Sequence, residues 1–315
     1  MKKILVVLLA LLLVSAVVFT GCSKKEAKDS GVKKIGYVSN NFNDTFQTYI
    51  NKAALDYVNA NADISITQLD AQEDVIKQQD LVNTLIAQKV DALFVVPVDT
   101  SAMGPITKAA QDAKIPICYV NRNPVAGNSM PDGVYYVGSQ EIVAGQLQME
   151  FIGEKLGGKG NVAILIGKLD NEGAIKRTEG NEDVIAKKYP NIKVLAKETG
   201  NWQRDQGMSI TENWLTAYGD KLNAILANND EMALGAVEAL KAAGKKIPVV
   251  GVDAIPDAKA AVKNGSLDAT VLQDAVGQGK GGVELLHTVL KGGTVEKIKW
   301  IPFVLITPEN IKDFE

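Results

Sequence analysis

From residue 33 onward, short wholly apolar runs alternate with segments whose apolar positions recur at helical spacing. Runs such as residues 92–97 (ALFVVP) and 115–120 (IPICYV) lack any polar alternation, which predicts strands buried on both faces in a parallel sheet covered by helices. Between residues 74 and 88, Val75, Ile76, Leu81, Val82, Leu85 and Ile86 follow the helical period. Strands are expected at 33–39, 64–70, 92–97, 115–120 and, briefly, 135–137, with helices at 45–60, 74–88 and 101–113. The pattern then restarts. Helices are expected at 142–156, 174–189, 204–217, 231–243 and 277–290, and strands at 162–166, 193–198, 224–227, 248–252 and 269–273, before a final extended stretch at 298–306. Strand–helix alternation of this kind predicts an α/β fold of two Rossmann-like lobes with parallel sheets, whose halves meet near residue 138 without an internal sequence repeat.

Residues 224–258 show where chemistry belongs in such a fold. They read as strand, polar corner (Asn228-Asn229-Asp230), helix, turn, strand and a second polar corner at Asp253. Ligands of open parallel sheets bind in the crevice beyond the carboxyl ends of the strands, which is where both corners fall. The ordinary alternative is capping, with Asp230 as N-cap of its helix and Asp253 as cap of a short helix around Pro256. The other strand ends carry residues of the same character. Asp44 and Phe46 follow the first strand, Asn121 and Arg122 the fourth, and Asn171, with Arg177 on the helix, the first strand of the second half. Trp202, Asn229, Asp253 and Gln273 complete the series. Taken singly, several have duller readings: Asp44 with Gln47 makes a capping box, Arg177 suits a solvated helix face, Trp202 a core, and Gln273 a loop. Their convergence on one crevice favours a site. Amides, carboxylates and guanidinium groups form paired hydrogen bonds in one plane, as adjacent ring hydroxyls require. Trp202 and Phe46, with Phe42 as a third candidate, would stack on the C–H faces of the same ring. Four or five charge-assisted bonds of roughly 1.5–3 kcal/mol each, less ordering costs, correspond to a dissociation constant on the order of 1 μM.

The amino terminus changes the compartment. Lys2-Lys3, an apolar run from residue 4 to 19 broken only by Ser15, and Thr20-Gly21-Cys22 read as a secretory signal over residues 1–21, too short for a membrane anchor. A small residue before a cysteine resembles the bacterial lipobox, from which Phe19 departs where leucine is usual. The reading is lipidation at Cys22, whose several acyl chains would anchor the protein stably on the extracytoplasmic face, with residues 22–32 as the tether. Cleavage would remove two lysines and take the formal charge from −3 to −5. That charge, without a basic patch, argues against nucleic acid as a partner. Cys118 is then left without a disulfide partner and reads as an inert core residue.

Nearly all of the chain beyond the signal resembles the periplasmic sugar-binding proteins of ABC transporters, in the ribose/galactose/inositol branch. The residues that carry the resemblance are DTF at 44–46, VDALFVVPVDT at 90–100, IPICYVNRNP at 115–124, NWQRDQG at 201–207, ANNDEMALGAVEAL at 227–240 and GVDAIPDA at 251–258. The resemblance implies two lobes joined by three hinge crossings, near Gly138-Ser139, Gln273-Asp274 and Trp300-Ile301. One lobe would comprise residues 33–138 and 274–300, the other 139–273 and 301–315. It also implies ligand contacts at Asp44, Phe46, Asn121, Arg122, Asn171, Arg177, Trp202, Asn229, Asp253 and Gln273. The calcium loop of galactose-binding relatives is replaced by the bare turn Gly157-Gly158-Lys159-Gly160, so no metal is expected there. Asn171 and Gly173 stand where the galactose type has histidine and aspartate, whereas Gln273 matches the ribose type. The NRNP and NWQRDQG segments look most like inositol-binding members. The expected function is capture of a monosaccharide or cyclitol, myo-inositol first, for delivery to an ABC importer by a monomer without cofactor. Galactose, glucose or a pentose such as ribose are the alternatives, with a chemoreceptor as a second partner.

Other classes fit less well. The one G-x-G-x-x-G, at Gly277, Gly279 and Gly282, falls within the helix expected at 277–290 and not in the turn directly after a strand, and no phosphate-binding G-x-x-x-x-G-K-[ST] is present. The single histidine, His287, lies among Leu285, Leu286 and Val289, away from every strand end. Enzymatic function is therefore not expected. Sugar-responsive repressors share the fold but need an amino-terminal helix-turn-helix where this chain has its signal.

Overall fold

The structure is a computed structural model that describes residues 31–125 and 129–314. The signal segment, Cys22 and most of the tether lie outside the described residues. Two six-stranded sheets form the frame. The first contains β1 (Lys33–Ser39), β2 (Ile64–Asp70), β3 (Ala92–Val95), β4 (Ile117–Val120), β5 (Val134–Gly138) and β11 (Ile298–Trp300), in the order β11-β5-β4-β3-β1-β2 and parallel throughout. The second contains β6 (Lys159–Ile166), β7 (Asn191–Thr199), β8 (Ala224–Ala227), β9 (Val249–Asp253), β10 (Ala269–Leu272) and β12 (Val304–Ile306), in the order β12-β10-β9-β8-β6-β7. Only β12 runs antiparallel, against β10. These are the two α/β lobes expected from the sequence. The chain passes between the sheets after β5, after β10 and between β11 and β12.

Helices α1 (Thr45–Asn59), α2 (Val75–Ala87) and α3 (Gly104–Asp112) cover the first sheet, joined by α9 (Ala275–Leu290), which packs on α1, β3, β4 and β5. Helices α4 (Glu141–Lys155), α5 (Glu172–Lys188), α6 (Arg204–Tyr218), α7 (Asp230–Ala242) and α8 (Pro256–Asn264) cover the second. The central strands are buried on both faces, as their unbroken apolar sequence requires: β3, β4 and β8 have no exposed position. Cys118 lies in this core with its thiol pushed up by burial. His287 is buried too, between the Tyr57 hydroxyl (3.2 Å) and the Asp63 carboxylate (3.1 Å), so it serves packing.

Three sequence expectations are corrected. The helix expected at 101–113 is a 3-10 turn (Thr100–Ala102) followed by α3, because Pro105 cannot donate to the preceding turn and instead starts a new helix. The glycine turn is shorter than expected, since Lys159 and Gly160 already belong to β6. Asn229, not Asp230, caps α7: its side chain accepts from Met232 N at 3.1 Å. Asp230 is fully buried in the first turn, where it accepts from Thr270 Oγ1 (2.6 Å) and Ile255 N (3.0 Å) and ties α7 to the β9–α8 corner.

Burial pushes the Asp230 carboxyl from 3.8 up to about 7, against the pull of those hydrogen bonds. A folded-state value above the unfolded one means that between these pH values the folded chain holds more protons, so this group's contribution to stability is lost as pH rises from about 4 to about 7. Asp230→Asn should flatten that part of the stability profile, measured as denaturation midpoints across pH. An unchanged slope would place its origin elsewhere.

Candidate functional site

The carboxyl ends of both sheets face one cleft, and all ten side chains expected there line the inner part of a single cavity together with Gln47. The cavity continues past Asp44, Phe46, Trp202, Asn229 and Asp253 into a mouth of about 420 Å³. From the first lobe come Asp44, Phe46, Asn121 and Arg122. Asp44 is at once the N-cap of α1, accepting from Gln47 N at 3.1 Å, and a cavity residue, so capping does not take it out of the cleft. Phe46 is buried one turn into α1. Asn121 follows β4 at φ 68°, a conformation that asparagine tolerates better than most residues. Its Oδ1 accepts from Gln47 Nε2 (2.9 Å) and its Nδ2 donates to Gln278 Oε1 (3.1 Å). Arg122 donates from Nη1 to the carbonyls of Pro97 and Val98, which fixes its guanidinium plane and leaves Nε buried without a protein partner.

The second lobe supplies Asn171, Arg177, Trp202, Asn229 and Asp253. Asn171 caps α5 through Gly173 N (2.8 Å). Trp202 follows Asn201, and both have positive φ (67° and 51°), so the turn after β7 holds the indole over the cleft. The indole lies so close to Gly167 that any Cβ there would overlap its ring. Its Nε1 is buried without a protein acceptor. The Arg177 guanidinium stands 5.8 Å from the indole centroid, within cation–π range. Asp253 ends β9 at φ 123°, rarely adopted by residues with a side chain, which turns its carboxylate into the cleft. It caps no helix, because the α8 N-cap is Ile255. Gln273 sits at the second crossing between the sheets. Phe42, the third stacking candidate, does not line the cavity.

Arg177 is buried, and burial works against its charge. Glu141 and Asp253 overcome that penalty and hold its pKa above the usual value. Burial likewise raises the Asp253 carboxyl well above its ordinary range, against the pull of Arg177, with Asp230 and Asp44 adding to the rise. Asp44 is raised by burial against the opposing pull of Arg122. Two carboxyls, two guanidinium groups and five amides thus meet around the cavity, between aromatic faces. Such a lining offers hydrogen-bond donors and acceptors on several sides of the cavity, with apolar ring faces between them. Polar bonds also join the lobes across the cleft. Thr45 donates to Glu231 (3.0 Å), Lys168 pairs with Glu73 (2.7 Å), and Thr100 N donates to the Asp170 carbonyl (3.3 Å).

Two residues of this neighbourhood escaped the sequence reading. Gln47 was visible only as the third helical residue after Asp44, where a capping-box reading turns its side chain back to the helix start; instead it reaches Asn121. Glu141 had no signal, as its partner Arg177 is 36 residues away.

The chain belongs to the periplasmic binding protein family, whose domain profile matches residues 35–294, and within that family a two-lobed fold with facing polar strand ends is the frame of a solute-binding protein. It is 42% identical over 87% of its length to a candidate rhizopine-binding protein of Rhizobium meliloti, of which the match covers 90%. It is 37% identical to a xylitol-binding protein of Mycolicibacterium smegmatis, over 93% of this chain and 82% of that one. A solved ABC transporter solute-binding protein from Bacillus halodurans, with bound myo-inositol, superposes with a TM-score of 0.84 at 40% identity, covering 91% of this chain and 99% of that one. The protein is therefore an extracytoplasmic, sugar-binding component of an ABC importer and not an enzyme.

Proposed function

We propose that the protein captures a cyclitol, myo-inositol first, in the cavity lined by Asp44, Phe46, Asn121, Arg122, Asn171, Arg177, Trp202, Asn229, Asp253 and Gln273, and presents it to its importer as a monomeric lipoprotein anchored through Cys22. The observation that carries this reading is the convergence of all ten side chains on one cavity drawn from both lobes. Myo-inositol in the 40% identical solved structure supports the ligand class. A cyclitol presents hydroxyls around its whole ring, which suits paired donors and acceptors on every side of the cavity. Ligand bridging the lobes would favour their closed arrangement, the form a permease would recognise. A pentose or related polyol is the second reading, favoured by Gln273 and by the 37% identical xylitol-binding relative.

Thermal melting of the full-length protein in detergent, against inositols, pentoses, pentitols and hexoses, tests the ligand class. Ligand at 100 times its dissociation constant stabilises by about 2.7 kcal/mol, a rise of several degrees. The expected result is a shift with myo-inositol that exceeds every sugar's. A larger shift with a pentose or pentitol would replace the cyclitol. The anchor has its own test: Cys22→Ser should move the protein from the membrane to the soluble fraction, and retention on membranes would overturn lipidation at Cys22.

A further inference from the structure

Arg177 carries five N–H groups, and the protein holds three of them. Nε donates to Glu141 Oε2 at 2.6 Å, Nη1 to the Asn228 carbonyl at 2.6 Å, and Nη2 to Gln273 Oε1 at 3.1 Å. One N–H on each terminal nitrogen is left for the cavity, with Asp253 Oδ1 3.8 Å from Nη1. Gln273 Nε2 in turn donates to Glu141 Oε1 at 3.0 Å, so Glu141, Arg177 and Gln273 form a closed ring of side chains. Glu141 is 2% exposed and does not line the central cavity, yet it occupies both of its carboxylate oxygens in fixing two residues that do. It also stands three residues beyond β5, at the first crossing between the lobes, while Gln273 stands at the second. The ring therefore ties the orientation of the guanidinium to the junction of two hinge segments.

Resting on the pocket reading above, we infer that Glu141 is a positioning residue for polyol selection: through this ring it aims the two remaining N–H groups of Arg177 at a pair of adjacent ligand hydroxyls, and so sets the preference among stereoisomers that differ there. A planar guanidinium discriminates hydroxyl geometry only while its plane is held. Its Nε–Glu141 bond and Nη2–Gln273 bond hold that plane from one edge, and the Asn228 carbonyl holds Nη1. Loss of the Glu141 charge frees the plane and leaves a buried cation under-compensated.

The test is titration calorimetry of full-length wild-type, Glu141→Gln and Glu141→Asp proteins in detergent, with myo-, scyllo- and D-chiro-inositol. Glu141→Gln should weaken myo-inositol by about 10- to 100-fold, the worth of a charge-assisted bond, and should shrink the affinity ratio between myo-inositol and the weaker isomers. Glu141→Asp keeps the charge one methylene short and should fall between wild type and Glu141→Gln in both respects; it carries the test if the glutamine variant does not fold. Equal weakening of all isomers, with the ratio unchanged, would show a purely structural role and overturn the inference. So would wild-type affinity in both variants. A wild-type protein that binds none of the three would overturn the pocket reading, and this inference with it.

Discussion

Replacing Asp253 by alanine is expected to weaken ligand binding by about 100- to 10,000-fold while leaving the fold in place. The carboxylate stands at the end of β9, lining both the inner cavity and its mouth, with a backbone held at φ 123°. Two hydroxyls donating to one buried carboxylate supply roughly 1.5–3 kcal/mol each, and alanine forfeits both. Stability should change little, because the side chain removed is a desolvated acid whose ionisation burial already opposes. Arg177, which approaches it at 3.8 Å, keeps Glu141, Gln273 and the Asn228 carbonyl. Calorimetric titration beside a thermal melt checks both halves. Undiminished affinity in a folded Asp253→Ala protein would remove Asp253 from the site.

The second large effect concerns stability. Helices α4 and α5 cross at Gly145 and Gly180, where an added Cβ would stand 1.9 Å from the Arg177 carbonyl oxygen and 2.2 Å from the Ile142 carbonyl oxygen respectively. Both obstacles are backbone atoms, so no side-chain rotation relieves them. On an exposed helix, Gly→Ala would stabilise by roughly 0.5–1 kcal/mol. Gly145→Ala should do the opposite, costing about 3 kcal/mol through overpacking and lowering the melting midpoint by about 6–12 °C. Because Arg177 rides on α5 and Glu141 on α4, the same separation should weaken ligand binding. A midpoint at or above wild type would mean that the helices do not meet so closely.

Much of this architecture was legible in the residues themselves. Unbroken apolar runs located the central strands, since a strand covered on both faces has no reason to alternate. Polar corners directly after those runs pointed to the residues that line the cleft cavity, since a parallel sheet brings its carboxyl ends to one edge of the molecule. Three details were not legible, each for a physical reason. Asn229 and Asp230 are both good caps, and only the packing of Asp230 against Thr270 and the β9–α8 corner decides between them. The positive φ values at Trp202 and Asp253 (67° and 123°), which aim two cavity residues into the cleft, are imposed by tertiary structure on residues whose own preferences lie elsewhere. Glu141 looked like any acidic residue at a helix start. Its role exists only because α4 and α5 cross closely enough for its carboxylate to meet Arg177.

Hydrogen–deuterium exchange of the full-length protein, with and without saturating myo-inositol, tests most directly whether both lobes hold the ligand. Protection is expected in peptides on both sides of the cleft. Those carrying Asp44–Phe46 and Asn121–Arg122 represent one lobe, and those carrying Arg177, Trp202, Asn229 and Asp253 the other, with a further change where the chain crosses at Gln273. Protection confined to one lobe, or appearing away from these peptides while myo-inositol is bound, would contradict capture between the lobes.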